Sequence, residues 1–256
     1  FSLDQDLDEQ QKKEIAQAFL RDSGVVPDLR ANALMLALMC NLYRGERYIP
    51  RNRPDVYEKC ATLLFEKWDP ARGLRVTLPF EAHIGPAIKH LAHWIYVNPA
   101  YQEGVSERAI TEEAARYLCP RQFEDIDEAR HAAHKFVEYC RGRAWVFTDT
   151  GSTADGEPLY QFTHRTFLEY FTAVYLVRTN PTPQGLGEVL LPKVETREWD
   201  VVTQLAFQIQ SKHTEGAADE LLSLLLSELR SRGRSEQLSI LSFAARLIFS
   251  LSSSSC

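Results

Sequence analysis

The chain has 256 residues, with 45% hydrophobic and 25% charged side chains. That is room for one to two domains, and these fractions exclude a disordered, collagenous or fibrous protein. The net charge of −6, from 29 Lys and Arg against 35 Asp and Glu, argues against a nonspecific nucleic-acid binder, whose affinity comes from neutralising phosphates with a basic face.

The acidic N-terminus has neither the cationic nor the apolar region of a signal peptide. The longest apolar run, Leu34 to Cys40, is far short of the roughly 20 residues that span a bilayer, so no membrane partner is expected. Five widely separated cysteines (Cys40, Cys60, Cys119, Cys140 and Cys256) include no C-x-x-C pair. They fit neither a disulfide framework nor a zinc ribbon, and predict a reduced, cytoplasmic setting. The chain opens without Met on the approach to a helix, which suggests a segment of something longer.

In chain order, residues 7–20 predict a helix with Leu7, Ile15, Phe19 and Leu20 inward, Asp8 as N-cap and Gly24 as stop. Asn32 caps a second helix, Ala33 to Tyr43, apolar nearly all round and so expected to be buried. The turn Ile49 to Pro54 leads to a third, Asp55 to Trp68, with Val56, Cys60, Leu63, Leu64 and Trp68 as its stripe. A connector follows, with a short strand at Leu74 to Leu78. Residues 81–97 predict a helix with Ile84, Ile88, Leu91, Ala92 and Ile95 on one face. A short helix capped by Thr111 and a longer one, Phe123 to Cys140, come next.

The period then changes. Ala144–Thr148 and Leu159–Thr163 are β-rich runs joined by a long polar loop, Asp149 to Pro158, which predicts a hairpin. Thr163 is expected to cap a helix from His164 to Arg178. Three helices and a hairpin over 82–163 form the order of a winged helix. Pro181–Gly185 is the clearest linker, and 197–211, 215–232 and 235–251 predict amphipathic helices of the size that begins a solenoid. The fold class is therefore mainly α. It comprises a helical domain (1–80; the lid domain by the resemblance set out below), a winged-helix domain with one β-hairpin (81–178) and a C-terminal helical region (179–256).

Candidate chemistry is sparse. Gly151 and Gly156 have the spacing of a phosphate loop, but Glu157 and Pro158 replace its Lys and hydroxyl residue, leaving a hairpin loop. His90 and His93, like His131 and His134, stand three apart on one helix face. No third convergent metal ligand is supplied by the spacing, Cys140 included, and helix-surface or boundary histidines are the simpler reading. No Ser lies in a G-x-S-x-G context, and Glu124–Glu128 read as an acidic first helical turn. Lys135, Arg141 and Arg143 beside Trp145 make a small basic patch, the basis of an alternative reading as a winged-helix nucleic-acid-binding regulator. The 123–140 helix that would enter a DNA groove is acidic, which weakens that alternative. His164 stands at a strand-to-helix junction, where helix N–H groups favour an anion.

Two segments resemble one family. Phe162-Thr163-His164-Arg165-Thr166-Phe167-Leu168-Glu169-Tyr170-Phe171-Thr172-Ala173 resembles the F-x-H-x-[ST]-F-x-E-[YF]-x-A type motif ending the winged helix of signal-transduction NTPases with a NACHT module. That group includes NOD-like immune receptors and their bacterial defence counterparts. Asn32–Cys40, Ile49–Arg53 and Val56–Glu58 resemble the helical domain that follows the family's NTPase core, with Ala33 where the family usually has Pro near the adenine. The two segments occur in the family's order, and the resemblance covers about residues 1–178.

The resemblance implies that the Walker A and Walker B motifs precede this region. This part would be inactive alone, within an ATP/ADP- and Mg-dependent switch whose nucleotide lies mostly in that core. It further implies that His164 contacts the β-phosphate of ADP and holds the closed form. The expected partners are the NTPase core of the same chain, further copies on activation and a sensed ligand of unknown chemistry.

Overall fold

A computed structural model describes residues 8–64, 81–141 and 146–252. Leu7, Trp68, the strand expected at 74–78, and the segment 142–145 with Arg143 and Trp145 lie outside the described residues. The protein is mainly helical, with a small antiparallel sheet. It divides into two compact units, one of residues 1–75 with 245–256 and one of residues 76–244.

The first unit is built from α1 (Glu9–Asp22), α2 (Pro27–Arg30), α3 (Ala33–Glu46) and α4 (Arg53–Thr62). Asp8 begins α1 with a reciprocal capping box. Its carboxylate accepts from the Gln11 N–H at 2.8 Å, and Gln11 Oε1 accepts from the Asp8 N–H. Asn32 and Asn52 cap α3 and α4 through the N–H groups of Met35 and Asp55. Met35, Leu38, Met39 and Leu42 of α3 and Val56, Tyr57, Cys60, Leu63 and Leu64 after α4's start are buried.

Two expectations fail here. Leu20 is 57% exposed, and Leu36 lies on an open side of α3, so this helix is not enclosed all round. Gly24 is not the stop either. α1 closes at Asp22 and runs into a 3₁₀ turn, Ser23–Val25. The Tyr43 hydroxyl, which donates to Asp22 at 2.7 Å, fixes that corner and holds the Asp22 carboxyl below its usual range.

The second unit begins with α5 (Glu81–Tyr96), β1 (Val105–Ser106), α6 (Glu107–Gln122) and α7 (Ile126–Arg141). β2 (Phe147–Ser152) and β3 (Pro158–Phe162) follow. The sheet order is β1-β3-β2, with Val105 opposite Tyr160 and Phe147 opposite Phe162. Helix, short strand, two helices and hairpin, with the first strand added to the hairpin, is the winged-helix arrangement.

The two-residue β1 is too short to show any alternation and was not expected. Gly104, just before it, has φ +134°, and a Cβ there would meet the Thr150 hydroxyl at 2.9 Å. Only glycine lets the chain pass so close to the bulge around Thr150. The hairpin loop is correspondingly shorter than expected, because β2 continues to Ser152 and β3 begins at Pro158.

Thr111 is not a cap. It lies one turn inside α6 with its hydroxyl donating to the Glu107 carbonyl, and Ser106 caps that helix instead. α7 starts at Ile126, after the Asp125 carboxylate has taken the N–H groups of Asp127 and Glu128.

α8 (Arg165–Thr179) packs on α5 and on α10 (Asp200–His213). Between α8 and α10, the expected linker proves to be the start of α9 (Pro183–Thr196), capped by Thr182. Pro183 occupies a first-turn position, where its missing N–H costs nothing. α11 (Ala217–Ser227) packs against α9 so closely that a Cβ on Gly187 would lie 2.1 Å from Leu224 Cδ2. A 3₁₀ turn, Glu228–Ser231, leads to α12 (Arg234–Ser252).

Candidate functional site

His164 is the point at which β3 becomes α8. Its backbone is extended (φ −132°, ψ 117°), which directs its carbonyl to accept from the N–H groups of Phe167 and Leu168 at 3.1 and 3.2 Å. No side chain caps the helix, so Thr163 does not have the capping role expected of it. With β-region backbone at His164, the N-cap falls one residue later. The first-turn N–H groups therefore keep their partial positive charge.

Burial lowers the His164 imidazole below its ordinary pKa. At neutral pH the ring is uncharged, with one nitrogen donating and the other accepting. The hydroxyls of Thr163 and Thr166, one on each side in the chain, are buried without a hydrogen-bond partner. A neutral imidazole at an uncapped helix start is suited to an anionic oxygen, whereas the two hydroxyls are enclosed by the protein.

The surrounding residues hold this junction still. Phe162 lies edge-on to Phe147 at 5.1 Å, and Phe167 stacks on Phe171 at 5.7 Å. Arg165 donates to the buried Glu169 at 2.9 Å, and the Thr163 N–H donates to the Val146 carbonyl. The aromatic residues and the acid of this segment are thus structural supports, and His164 is the residue they position.

The other histidines divide cleanly. His90 and His93 sit on α5 among side chains of α6 and α8. His90 Nε2 is 2.7 Å from Glu113 Oε1 and its Nδ1 is 3.4 Å from the Tyr175 hydroxyl, while its ring stacks on Tyr117 at 4.5 Å. His93 stacks on Tyr175, also at 4.5 Å. Arg116 binds the second oxygen of Glu113 at 2.9 Å, and Arg121 lies over Tyr117. Burial lowers both histidines, His93 to about 4. These are boundary groups, His90 with partners at both ring nitrogens and His93 held by ring stacking, and Glu113 and Tyr175 are 23 and 85 residues from His90 in sequence. No local pattern could have paired them.

His131 and His134 are exposed on α7, and Cys140 is fully buried. Among the described residues, no group of three His, Cys, Asp or Glu could hold a metal ion. Gly151 lies in β2 opposite Leu159 and Gly156 in the hairpin loop, where the Glu157 N–H donates to Thr153 Oγ1. No phosphate cradle forms there.

The basic patch is weaker than its sequence. Arg141 donates to the Tyr160 hydroxyl at 3.3 Å and lies 3.6 Å from Glu107. Exposed Lys135 shares its surface with Asp127 and Glu128. Among the described residues, no helix is long and apolar enough to cross a membrane. Compared with known proteins, the chain significantly matches no family model, no curated protein and no solved structure.

Proposed function

We propose that the chain is the helical and winged-helix regulatory part of a NACHT-type nucleotide switch in signalling or defence. In this reading His164 contacts the β-phosphate of ADP and favours the closed state. The single observation that carries it is the uncapped start of α8 at a part-exposed His164. The chemistry there fits a phosphate oxygen: an imidazole N–H donor and helix N–H groups.

The nucleotide, when bound with Mg, would supply the negative charge that these groups recognise. Most of its contacts would come from an NTPase core ahead of this region. His164 holds a hydrogen on one nitrogen, directs it at the phosphate and so adds differential affinity for the closed arrangement. Opening and self-association on ligand sensing follow when that contact is lost.

The test uses the protein together with its NTPase core. Replacing His164 by Ala should speed ADP release about tenfold, the loss of one charge-assisted hydrogen bond, and raise basal self-association. ADP retention and oligomeric state identical to the parent protein would overturn the reading.

A further inference from the structure

The end of α5, the 3₁₀ turn Pro99–Tyr101, β3, the first turn of α8 and the end of α9 with the residues just after it enclose a cavity of about 400 Å³. It lies within the second unit and takes no part in the phosphate contact proposed for His164. Its volume falls in the range of small-molecule sites.

Charge narrows what can enter. The cations of the wall are Arg165 and Lys193. Arg165 pairs with the Glu169 carboxylate at 2.9 Å and also donates to the Tyr96 hydroxyl. Lys193 is 2.8 Å from Glu198 and lies 4.8 Å over the Trp199 ring. With both pairs closed no charge is left over, and an ionic ligand would lose hydration without gaining a counter-ion. Such a wall admits a neutral body.

The rings set its shape. Trp199 meets Tyr96 edge-to-face at 5.4 Å, and Tyr101 leans on Trp94 at 4.5 Å. Phe162, on the apolar side, is itself braced edge-on by Phe147. Rings held by other rings keep their places, so a flat apolar ligand pays little ordering cost on binding.

Two amides set its polar edge. Gln161 of β3 is half-buried and Gln102, just past the 3₁₀ turn, is exposed. Neither side chain bonds to another described residue. A carboxamide offers a C=O acceptor and an N–H donor side by side in one plane. The group that answers both at once is a second amide with its N–H and C=O on the same edge. In a flat ring system that group is a lactam.

We infer that this cavity is a binding site for a small neutral aromatic lactam, one or two fused rings with adjacent N–H and C=O. The ring packs against Tyr96, Tyr101 and Trp199. Its N–H donates to the Gln161 carbonyl and its C=O accepts from the Gln161 amide N–H, while Gln102 supplies a further amide at the rim.

The experiment compares three flat two-ring probes by saturation-transfer NMR and calorimetric titration of the protein. 2-Quinolone is the lactam, N-methyl-2-quinolone keeps the carbonyl and lacks the N–H, and 2-naphthoate carries a charge. 2-Quinolone should bind saturably with a Kd below about 1 mM, and the N-methyl compound about fivefold weaker for one lost hydrogen bond. 2-Naphthoate should also bind more weakly than the lactam. Gln161→Val, which suits a strand, combined with Gln102→Ala should erase the preference for the N–H lactam. Trp199→Ala should weaken both quinolones alike. Thermal melting checks the folding of each variant, and Trp199→Phe substitutes if Trp199→Ala does not fold. No saturable binding of 2-quinolone, equal binding of its N-methyl derivative, tighter binding of 2-naphthoate, or an unchanged preference in the double variant would overturn the inference. None of these outcomes depends on nucleotide.

Discussion

The histidines at the two ends of the α5–α8 packing teach opposite lessons. At His90, both ring nitrogens and one face are met by Glu113, Tyr175 and Tyr117, while His93 is held by its stack on Tyr175, and these part-buried imidazoles are tied into the helix packing. At His164 the ring is only half-buried, the helix it begins is uncapped, and two neighbouring hydroxyls lack partners. Residue type does not separate the two cases. Satisfaction does: a buried polar group with its partners in place stabilises the fold, and one without them costs stability unless something outside supplies them.

The comparison can be broken at its core side first. Tyr175→Ala removes the ring stacked on His93 and the hydroxyl beside His90. It should cost about 2–3 kcal/mol, less than a fully enclosed aromatic ring, measured by urea unfolding; a loss below about 0.5 kcal/mol would make the cluster surface decoration.

A pH series sharpens the same point. The His93 pKa is lowered to about 4 by burial, with the nearby His90 adding to the shift, whereas in the unfolded chain it is near the ordinary value of about 6.5. Between these values the unfolded chain holds more protons, so stability rises with pH. It is lost as pH falls through about 6.5 towards 4, by up to about 1.4 kcal/mol per pH unit for this one proton. His90 contributes in the same direction. His93→Phe, which keeps a ring against Tyr175, should flatten part of the slope, and an unchanged slope would remove His93 from the account.

The smallest effect is expected at His164. His164→Ala should alter unfolding free energy by no more than about 0.5 kcal/mol, since no side-chain bond is lost. A loss of about 2 kcal/mol would instead reveal a structural histidine and count against its role as a ligand contact.

Much of the architecture was legible in the sequence for local reasons. Asp8 and Asn32 are capping residues whose side chains reach N–H groups three positions ahead, so the rule and its outcome lie within one turn. Asn52, read only as part of a turn, caps α4, which starts two residues before the expected Asp55. The change of period after Cys140 exposed the hairpin, and the His164 junction could be found because strand and helix patterns meet there. What escaped depended on distant partners or on misleading punctuation. β1 exists because Val105 and Ser106 pair with Tyr160 and Leu159, more than fifty residues onward. α9 was hidden because Pro183, Gly185, Gly187 and Pro192 look like breakers. One proline is harmless in the first turn, and Gly187 makes room for Leu224. The His90 cluster and the cavity beside Trp199 were invisible because each is assembled from separate elements.

The join between β3 and α8 is only Thr163 and His164, and both are tied down: Thr163 to the Val146 carbonyl and the His164 carbonyl to the next turn. So short a coupling has no slack. The hairpin and the aromatic helix are joined directly, with the imidazole at the join.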